Sequence, residues 1–186
     1  IYVGYRYFET FCPEKVQFEF GFGMAYTDFE IKYSEAHLRN IDGVDHIEVD
    51  AEVRNVGERY PGKEVVQIYY EAPQGRLGRP RRALVAFKKT RLLMPGESHS
   101  MTLRFPVSRM AAYDDGGYTG YPSYYVLESG EYFLYAGNSV RNTVRLKVDG
   151  RDSLFIPEIQ VVEQLEEVMK PVESFKRMKP GRKKED

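Results

Sequence analysis

Three histidines, one cysteine and several clustered acids, arginines and tyrosines are the residues of this chain that could do chemistry. His37, His46 and His99 fall in different segments, and none has a ligand-type neighbour at a metal-binding spacing. Asp114 and Asp115 are adjacent rather than spaced to converge on one ion, and they lie in a glycine-rich stretch. They read as a turn, with a Ca²⁺ contact as the alternative. Cys12 precedes Pro13 and has no histidine nearby in sequence, so a cysteine–histidine nucleophile pair is not indicated. A single cysteine also excludes an internal disulfide framework and any multi-cysteine metal site. Gly21 and Gly23 are followed by aromatic, strand-like residues and not by a helix, so they fail the context test for a dinucleotide loop. They read instead as backbone relief at a tight interdomain crossing.

Two further groups each allow two readings. Arg76, Arg79, Arg81 and Arg82 form a basic loop that could clamp a phosphate or RNA; a solvated loop or a donor of interdomain salt bridges is the plainer reading. Tyr113, Tyr118, Tyr121, Tyr124 and Tyr125 could present flat faces to sugar rings, or could simply pack. Glycoside hydrolysis needs paired carboxylates. The many acids here lie on polar strand faces, and no pair stands in an apolar setting. No catalytic, cofactor-binding or metal residue is therefore assigned, and no cofactor is expected.

The elements that would position these residues are strands. Ile47, Val49, Ala51 and Val53 alternate with Glu48, Asp50, Glu52 and Arg54, the pattern of a half-buried strand. Glu64 to Glu71 is a second strand, and Ala83 to Leu93, Met101 to Phe105, Tyr124 to Leu127, Glu131 to Ala136 and Thr143 to Val148 are others. Seven or eight short strands lie between Phe29 and Val148, with turn signals every 10–15 residues or so, which predicts an all-β antiparallel sandwich. A closed barrel is the alternative. Met110 to Gly120 reads as a short helical turn running into a loop. Beyond Gly150 the period changes: Ile159, Val162, Leu165 and Val168 predict an amphipathic helix over 158–170 that docks this stripe. Residues 176–184 read as a basic, disordered tail or linker.

The chain has 186 residues, with 27 basic and 28 acidic side chains and a net charge of −1. That balance argues against a general nucleic-acid binder and gives no whole-chain attraction to an anionic membrane. No apolar run approaches a membrane-spanning length. The first residue is Ile, so a fragment or processed product is expected. Ile1 to Phe8 reads as a short aromatic strand. It and the aromatic stretch Phe18 to Tyr26 cannot form a core alone. Residues 1–27 are therefore expected to fray, to fold against the sandwich, or to pair with a second copy.

Several stretches resemble glycoside hydrolase family 3. Gly4 to Phe8 and Phe18 to Thr27 are similar to the family's "GYRYF…FPFGYGLSYT" passage, which leaves an α/β sandwich domain and enters a fibronectin type III-like domain. Val53 to Gly57 and Pro61 to Tyr70 resemble that domain's "V-N-T-G…AGKEVVQLY" strands. Arg79, Pro80 and Leu84 to Lys88 match "RP-K-L-GF-K", Leu93 to Glu97 matches "L-PGE", and Ser129 to Tyr132 with Tyr135 to Ser139 matches "PGEY…VGSS". The resemblance covers residues 1 to about 149. It implies a parent β-glucosidase that acts on terminal β-linked sugars, with its nucleophile in an "SDW" motif of a TIM-barrel domain. No such motif occurs here, and the usual acid/base glutamate precedes the matched passage, so no catalytic residue carries over and the fragment is expected to be inactive.

The implied division is 1–27, the tail of an α/β sandwich domain; 28–150, a fibronectin type III-like immunoglobulin-class sandwich; and 151–186, a helix and basic linker toward a barrel domain. The linker follows the pattern of members with permuted domain order. Expected partners are the parent's own α/β sandwich and TIM-barrel domains, with a homodimer through the exposed N-terminal strand also possible in principle. The competing class is a free-standing β-sandwich binding module for carbohydrate or protein. An extra aromatic segment at 1–27 fits the accessory domain better than the free module.

Overall fold

In the computed structural model, residues 1–167 and 178–180 are described. In chain order the elements are helix α1 (Tyr5–Phe11) and strands β1 (Phe29–Tyr33), β2 (His37–Ile41), β3 (Val44–Asn55), β4 (Val65–Glu71), β5 (Ala83–Lys89), β6 (Ser98–Pro106), β7 (Ala112–Tyr113), β8 (Tyr124–Leu127), β9 (Gly130–Gly137), β10 (Thr143–Leu146), β11 (Leu154–Ile156) and β12 (Gln160–Gln164). The twelve-residue β3 is long enough for β1 and β2 each to pair with one end of it, while β6 pairs along most of its length. The second sheet runs β10-β9-β4-β5, and β11 pairs with the start of β9. A small third sheet, β12-β8-β7, completes the fold. Every strand pairing is antiparallel.

The alternation read from the sequence places the core. Ile47, Val49, Ala51 and Val53 of β3 with Met101, Leu103 and Phe105 of β6 form one inner face. Val66, Ile68 and Tyr70 of β4 with Tyr132, Leu134 and Ala136 of β9 form the other. Burial holds the Tyr132 hydroxyl up at about 12, although that oxygen still donates to the Glu128 carbonyl (3.0 Å). One end of the sandwich is tied by Asn55, which is fully buried. Its side-chain amide donates to the Tyr60 and Leu93 carbonyls (both 3.0 Å), and its side-chain oxygen accepts from the Thr27 hydroxyl (2.6 Å) and the Gly57 amide (3.0 Å). One side chain thus satisfies groups from three loops that a sheet edge would leave unpaired.

Three expectations fail locally. Ile1 to Phe8 is not a strand; residues 5–11 are helical. A strand there would need a partner edge, whereas the helix satisfies its own backbone and frees Tyr5 and Glu9 to point at the sandwich. The segment expected to be a helix over 158–170 contains strand β12 instead, paired with β8. The adjacent β-branched Val161 and Val162 suit a strand, and β8 offers an unpaired edge. Val168 and residues 169–170 lie outside the described residues, as do 176, 177 and 181–184 of the basic run. The helical turn expected at Met110 falls earlier, as a 3₁₀ turn at Val107–Met110, and β7 follows it.

Of the described residues of that stripe, Val162 and Leu165 are exposed, Leu165 by 37%, while Leu134 is fully buried. Leu165→Ala should change stability by less than about 0.5 kcal/mol. Leu134→Ala should cost about 2–5 kcal/mol through lost burial and a cavity. Urea denaturation midpoints of the two variants check both values.

Candidate functional site

Strand β4 is buried on both faces: Val66, Ile68 and Tyr70 look into the core, and Gln67 and Tyr69, which point the other way, are buried as well. A two-layer sandwich cannot do this, so something must cover the outer face. Residues 5–22 supply the cover. The Tyr5 ring meets Tyr69 edge-on at 6.3 Å and stacks on Phe20 at 4.5 Å. The Tyr5 hydroxyl accepts from the Leu84 amide on the edge strand β5 (2.7 Å), a donor that β4 does not take. Burial pushes the Tyr5 and Tyr69 hydroxyls above their ordinary range, and Tyr69 donates to the Gln67 side-chain oxygen. Gly21 sits at φ +91°, and a Cβ there would come within 2.7 Å of the Ser139 Cα. The backbone therefore crosses closely at Gly21, whereas at Gly23 the same Cβ would meet open space.

An ion pair and hydrogen bonds fasten this layer to the β9–β10 turn. Arg141 of the β9–β10 turn grips both oxygens of the buried Glu9 carboxylate on α1 (Nε at 3.0 and 3.1 Å) and donates from Nη2 to the Pro13 carbonyl (2.7 Å). Glu19 accepts from the Ser139 hydroxyl (2.8 Å), and the Val140 amide donates to the Phe20 carbonyl (2.9 Å). Arg82 lies over the Tyr135 ring, 4.0 Å from its centroid, and donates to the Val140 carbonyl and the Thr143 hydroxyl.

The basic loop is solvated only in part, at the exposed Arg76 and Arg81. Leu77 and Arg79 are buried. Arg79 donates through Nη2 to the Tyr70 hydroxyl (2.8 Å) and the Met110 carbonyl (2.7 Å), and Gln74 bonds both its amide and its carbonyl. The buried Glu128 carboxylate accepts from the Arg76 and Leu77 amides. Arg79 is thus a structural post, which removes it from any phosphate clamp. The loop packs so firmly because a buried acid and a buried arginine each find backbone partners, a feature with no periodicity to reveal it.

The tyrosines do not share one plane. Tyr113 and Tyr125 form a cross-strand pair on β7 and β8 at 5.4 Å, tilted by 52°, and Tyr121 meets Tyr124 edge-on at 6.1 Å. Tyr113 and Tyr125 line a cleft of about 750 Å³ with Tyr2, Arg6 and Arg79. Asp114, fully buried, organises the loop that follows. Burial alone would raise its pKa, but the Thr119 hydroxyl and the Thr119, Tyr118 and Gly116 amides all donate to its carboxylate and lower it instead. The Asp114–Asp115 pair is therefore a turn, as its sequence suggests.

The remaining candidates stay apart. His37 pairs with Asp149 (3.0 Å), the His46 ring is bonded with the Val44 carbonyl, and His99 lies on β6 opposite Val53. Cys12 carries a free thiol, and its backbone amide caps the end of α1 by donating to the Phe8 carbonyl. Among the described residues no cluster of histidine, cysteine or acid could hold a metal ion. The three buried carboxylates among the described residues, Glu9, Asp114 and Glu128, are each occupied by donors, the reverse of the apolar setting that makes a general acid.

Residues 64–140 match the model of the fibronectin type III-like domain. A β-glucosidase of Ruminococcus albus is 44% identical over 96% of this chain and 18% of its own length. β-Glucosidase A of Butyrivibrio fibrisolvens is 41% identical over 96% of the chain and 22% of its own. In three dimensions the chain superimposes over its full length on 20% of a Paenibacillus barengoltzii β-glucosidase, with a TM-score of 0.92 at 57% identity. The chain resembles the fibronectin type III-like portion of family 3 β-glucosidases. It spans about a fifth of the length of these relatives. The fibronectin type III-like sandwich and its N-terminal cover match together in that superposition, so the cover is part of the shared structure.

Two predictions follow from the site's electrostatics. Glu9→Ala should cost about 1–3 kcal/mol, since it strips a buried acceptor from Arg141, and denaturant titration reads the loss. Asp114 has a folded pKa below its unfolded one, so its contribution is complete above the unfolded value near 4. It is lost as pH falls through the lower, folded value. Asp114→Asn should therefore flatten the acid limb of the stability–pH curve, measured by thermal denaturation between pH 2 and about 6.

Proposed function

We propose that this chain is the non-catalytic accessory domain of a family 3 β-glucosidase whose whole chain hydrolyses terminal β-linked sugars. On this reading residues 1–27 are the tail of an α/β sandwich domain, 28–150 are the sandwich, and 151–186 lead toward a TIM-barrel domain. The observation that carries the reading is the N-terminal layer. It is fastened to the sandwich on its inner side by Tyr5, Glu9 and Phe20, yet Met24 and Tyr26 are 93% and 92% exposed, and the Phe18 and Phe22 rings, which meet each other at 4.8 Å, are exposed too. Such an apolar surface marks a contact with another folded unit. The layer is then a splice between domains: one face belongs to the sandwich, the other to the neighbour.

Catalysis does not arise within the splice. Its carboxylates Glu9 and Glu19 are engaged as structural acceptors, Glu14 stands exposed in water, and its aromatic groups pack on one another. The chain assayed on a chromogenic β-glucoside should give no turnover above background, while a full-length relative assayed alongside is active. Turnover that survives rigorous purification would overturn the reading. A homodimer through the N-terminal segment is the other cover for Met24 and Tyr26. That segment holds no strand to pair edge to edge, so a dimer would have to be built from side chains. Sedimentation that shifts with concentration would favour the dimer; a monomer at all concentrations favours the neighbouring domain.

A further inference from the structure

The cleft that Tyr113 and Tyr125 line is a hollow of about 750 Å³. Proteins normally close such space with side chains. Here Ala83, Ala111 and Ala112 stand in its walls, and their single methyl groups leave it open. Its volume lies within the roughly 300–1,000 Å³ of small-molecule clefts. Strand register builds the aromatic wall. Tyr113 of β7 stands opposite Tyr125 of β8, so the two side chains share one face of the small sheet. Their rings meet at 5.4 Å with a tilt of 52°, and Tyr125 keeps 36% of its surface exposed.

Two charged residues, Arg6 of α1 and Asp115 of the loop after β7, line the same cleft, and both are half-buried. That loop is already ordered, because the Asp114 carboxylate accepts from the Thr119 hydroxyl and from the Gly116, Tyr118 and Thr119 amides. A ligand therefore meets little cost in arranging it. Arg79 also borders the cleft but offers it no donor: Nη2 is spent on the Tyr70 hydroxyl and the Met110 carbonyl, and Nε and Nη1 are buried. One cation and one anion in the walls favour a ligand without net charge. A purely apolar ligand would strip water from both without replacing its hydrogen bonds. The ring faces favour a ligand that has flat apolar faces of its own. A pyranose with equatorial substituents joins these properties, since its C–H groups make two apolar faces and its hydroxyls a polar edge.

We infer that this cleft is a saccharide-binding subsite, in which a pyranose ring stacks on Tyr125 beside Tyr113 and turns its hydroxyl edge to Asp115 and Arg6. The subsite holds a sugar without cleaving it. Hydrolysis needs two carboxylates flanking the glycosidic bond, and Asp115 is the one acid among the described residues that line the cleft. The inference uses groups of this chain alone and does not rest on its being an accessory domain.

The test is a titration of the full chain with cellobiose, which carries two equatorially substituted pyranose rings, followed through the tyrosine ring signals of the ¹H–¹³C spectrum. Saturable shifts at Tyr113 and Tyr125 are expected, with the thermal midpoint rising with cellobiose concentration. Sorbitol is the discriminating arm, since it offers hydroxyls without a ring face, and it should give no saturable response. Tyr125→Val keeps a strand-favouring residue but removes the ring, and should weaken binding about tenfold. Tyr125→Phe keeps the ring and should bind within about twofold of the parent sequence. Ala111→Leu, at a half-buried position in the cleft wall, removes no side chain from the site and fills the hollow; it should abolish the shifts even where Tyr125→Val fails to fold. No saturable response to cellobiose, an equal response to sorbitol, shifts confined to tyrosines outside the cleft such as Tyr26, or unchanged binding in Tyr125→Val or Ala111→Leu would overturn the inference.

Discussion

Strand β4 is buried on both faces, and much else follows from that constraint. Its inner residues, Val66, Ile68 and Tyr70, are ordinary sandwich core. Its outer residues, Gln67 and Tyr69, stand on the side where a two-sheet fold would meet water, yet Tyr69 is fully covered. An aromatic side chain of that size loses a large apolar area from water only if a third layer exists. The layer is the N-terminal segment, and its form answers the needs of the face it covers. Tyr5 brings a ring for Tyr69 and an acceptor for the Leu84 amide, Gly21 lets the backbone close against Ser139, and Glu9 meets Arg141.

A seven-residue helix such as α1 is too short to stand alone in water. Its existence is a consequence of docking, not a local preference of Tyr-Arg-Tyr-Phe-Glu-Thr-Phe. The same holds in the opposite sense for β12, where Val161 and Val162 pair with an available edge. In both places tertiary demand decides the secondary structure. The sandwich is thus a scaffold that dictates the shape of the segments entering and leaving it.

The sandwich itself was legible because period-two alternation is a local signal. Ile47 to Val53 and Met101 to Phe105 announce their inner faces residue by residue, and the turn residues punctuate them. The double-sided burial of Glu64 to Glu71 was also visible as apolar and aromatic residues on both faces, although its meaning needed the cover to be seen. The helix at Tyr5–Phe11 was missed because aromatic residues favour strands. Its one signal was spacing: Tyr7 and Phe11 are four apart and their rings meet at 5.2 Å. The stripe from Ile159 to Leu165 fits a helix on paper, but Ile159 alone packs inward, against Leu77 and Val126, and the following valines enter a strand. The arginine loop gave no periodic hint at all. Nothing in four arginines over seven residues distinguishes the buried post Arg79 from the stacked Arg82 or the exposed Arg76 and Arg81; only the burial of Glu128 and Tyr70 around them separates their roles.

The account stands on the N-terminal segment being a bound third layer and not a loose end. Amide hydrogen exchange of the monomeric chain measures this directly. The account predicts that amides within Tyr5–Phe11 exchange slowly, with protection comparable to that of Val66 to Tyr70, because helix and strand open together. Exchange of the Tyr5–Phe11 amides at the rate of a free peptide, while the strands stay protected, would contradict it.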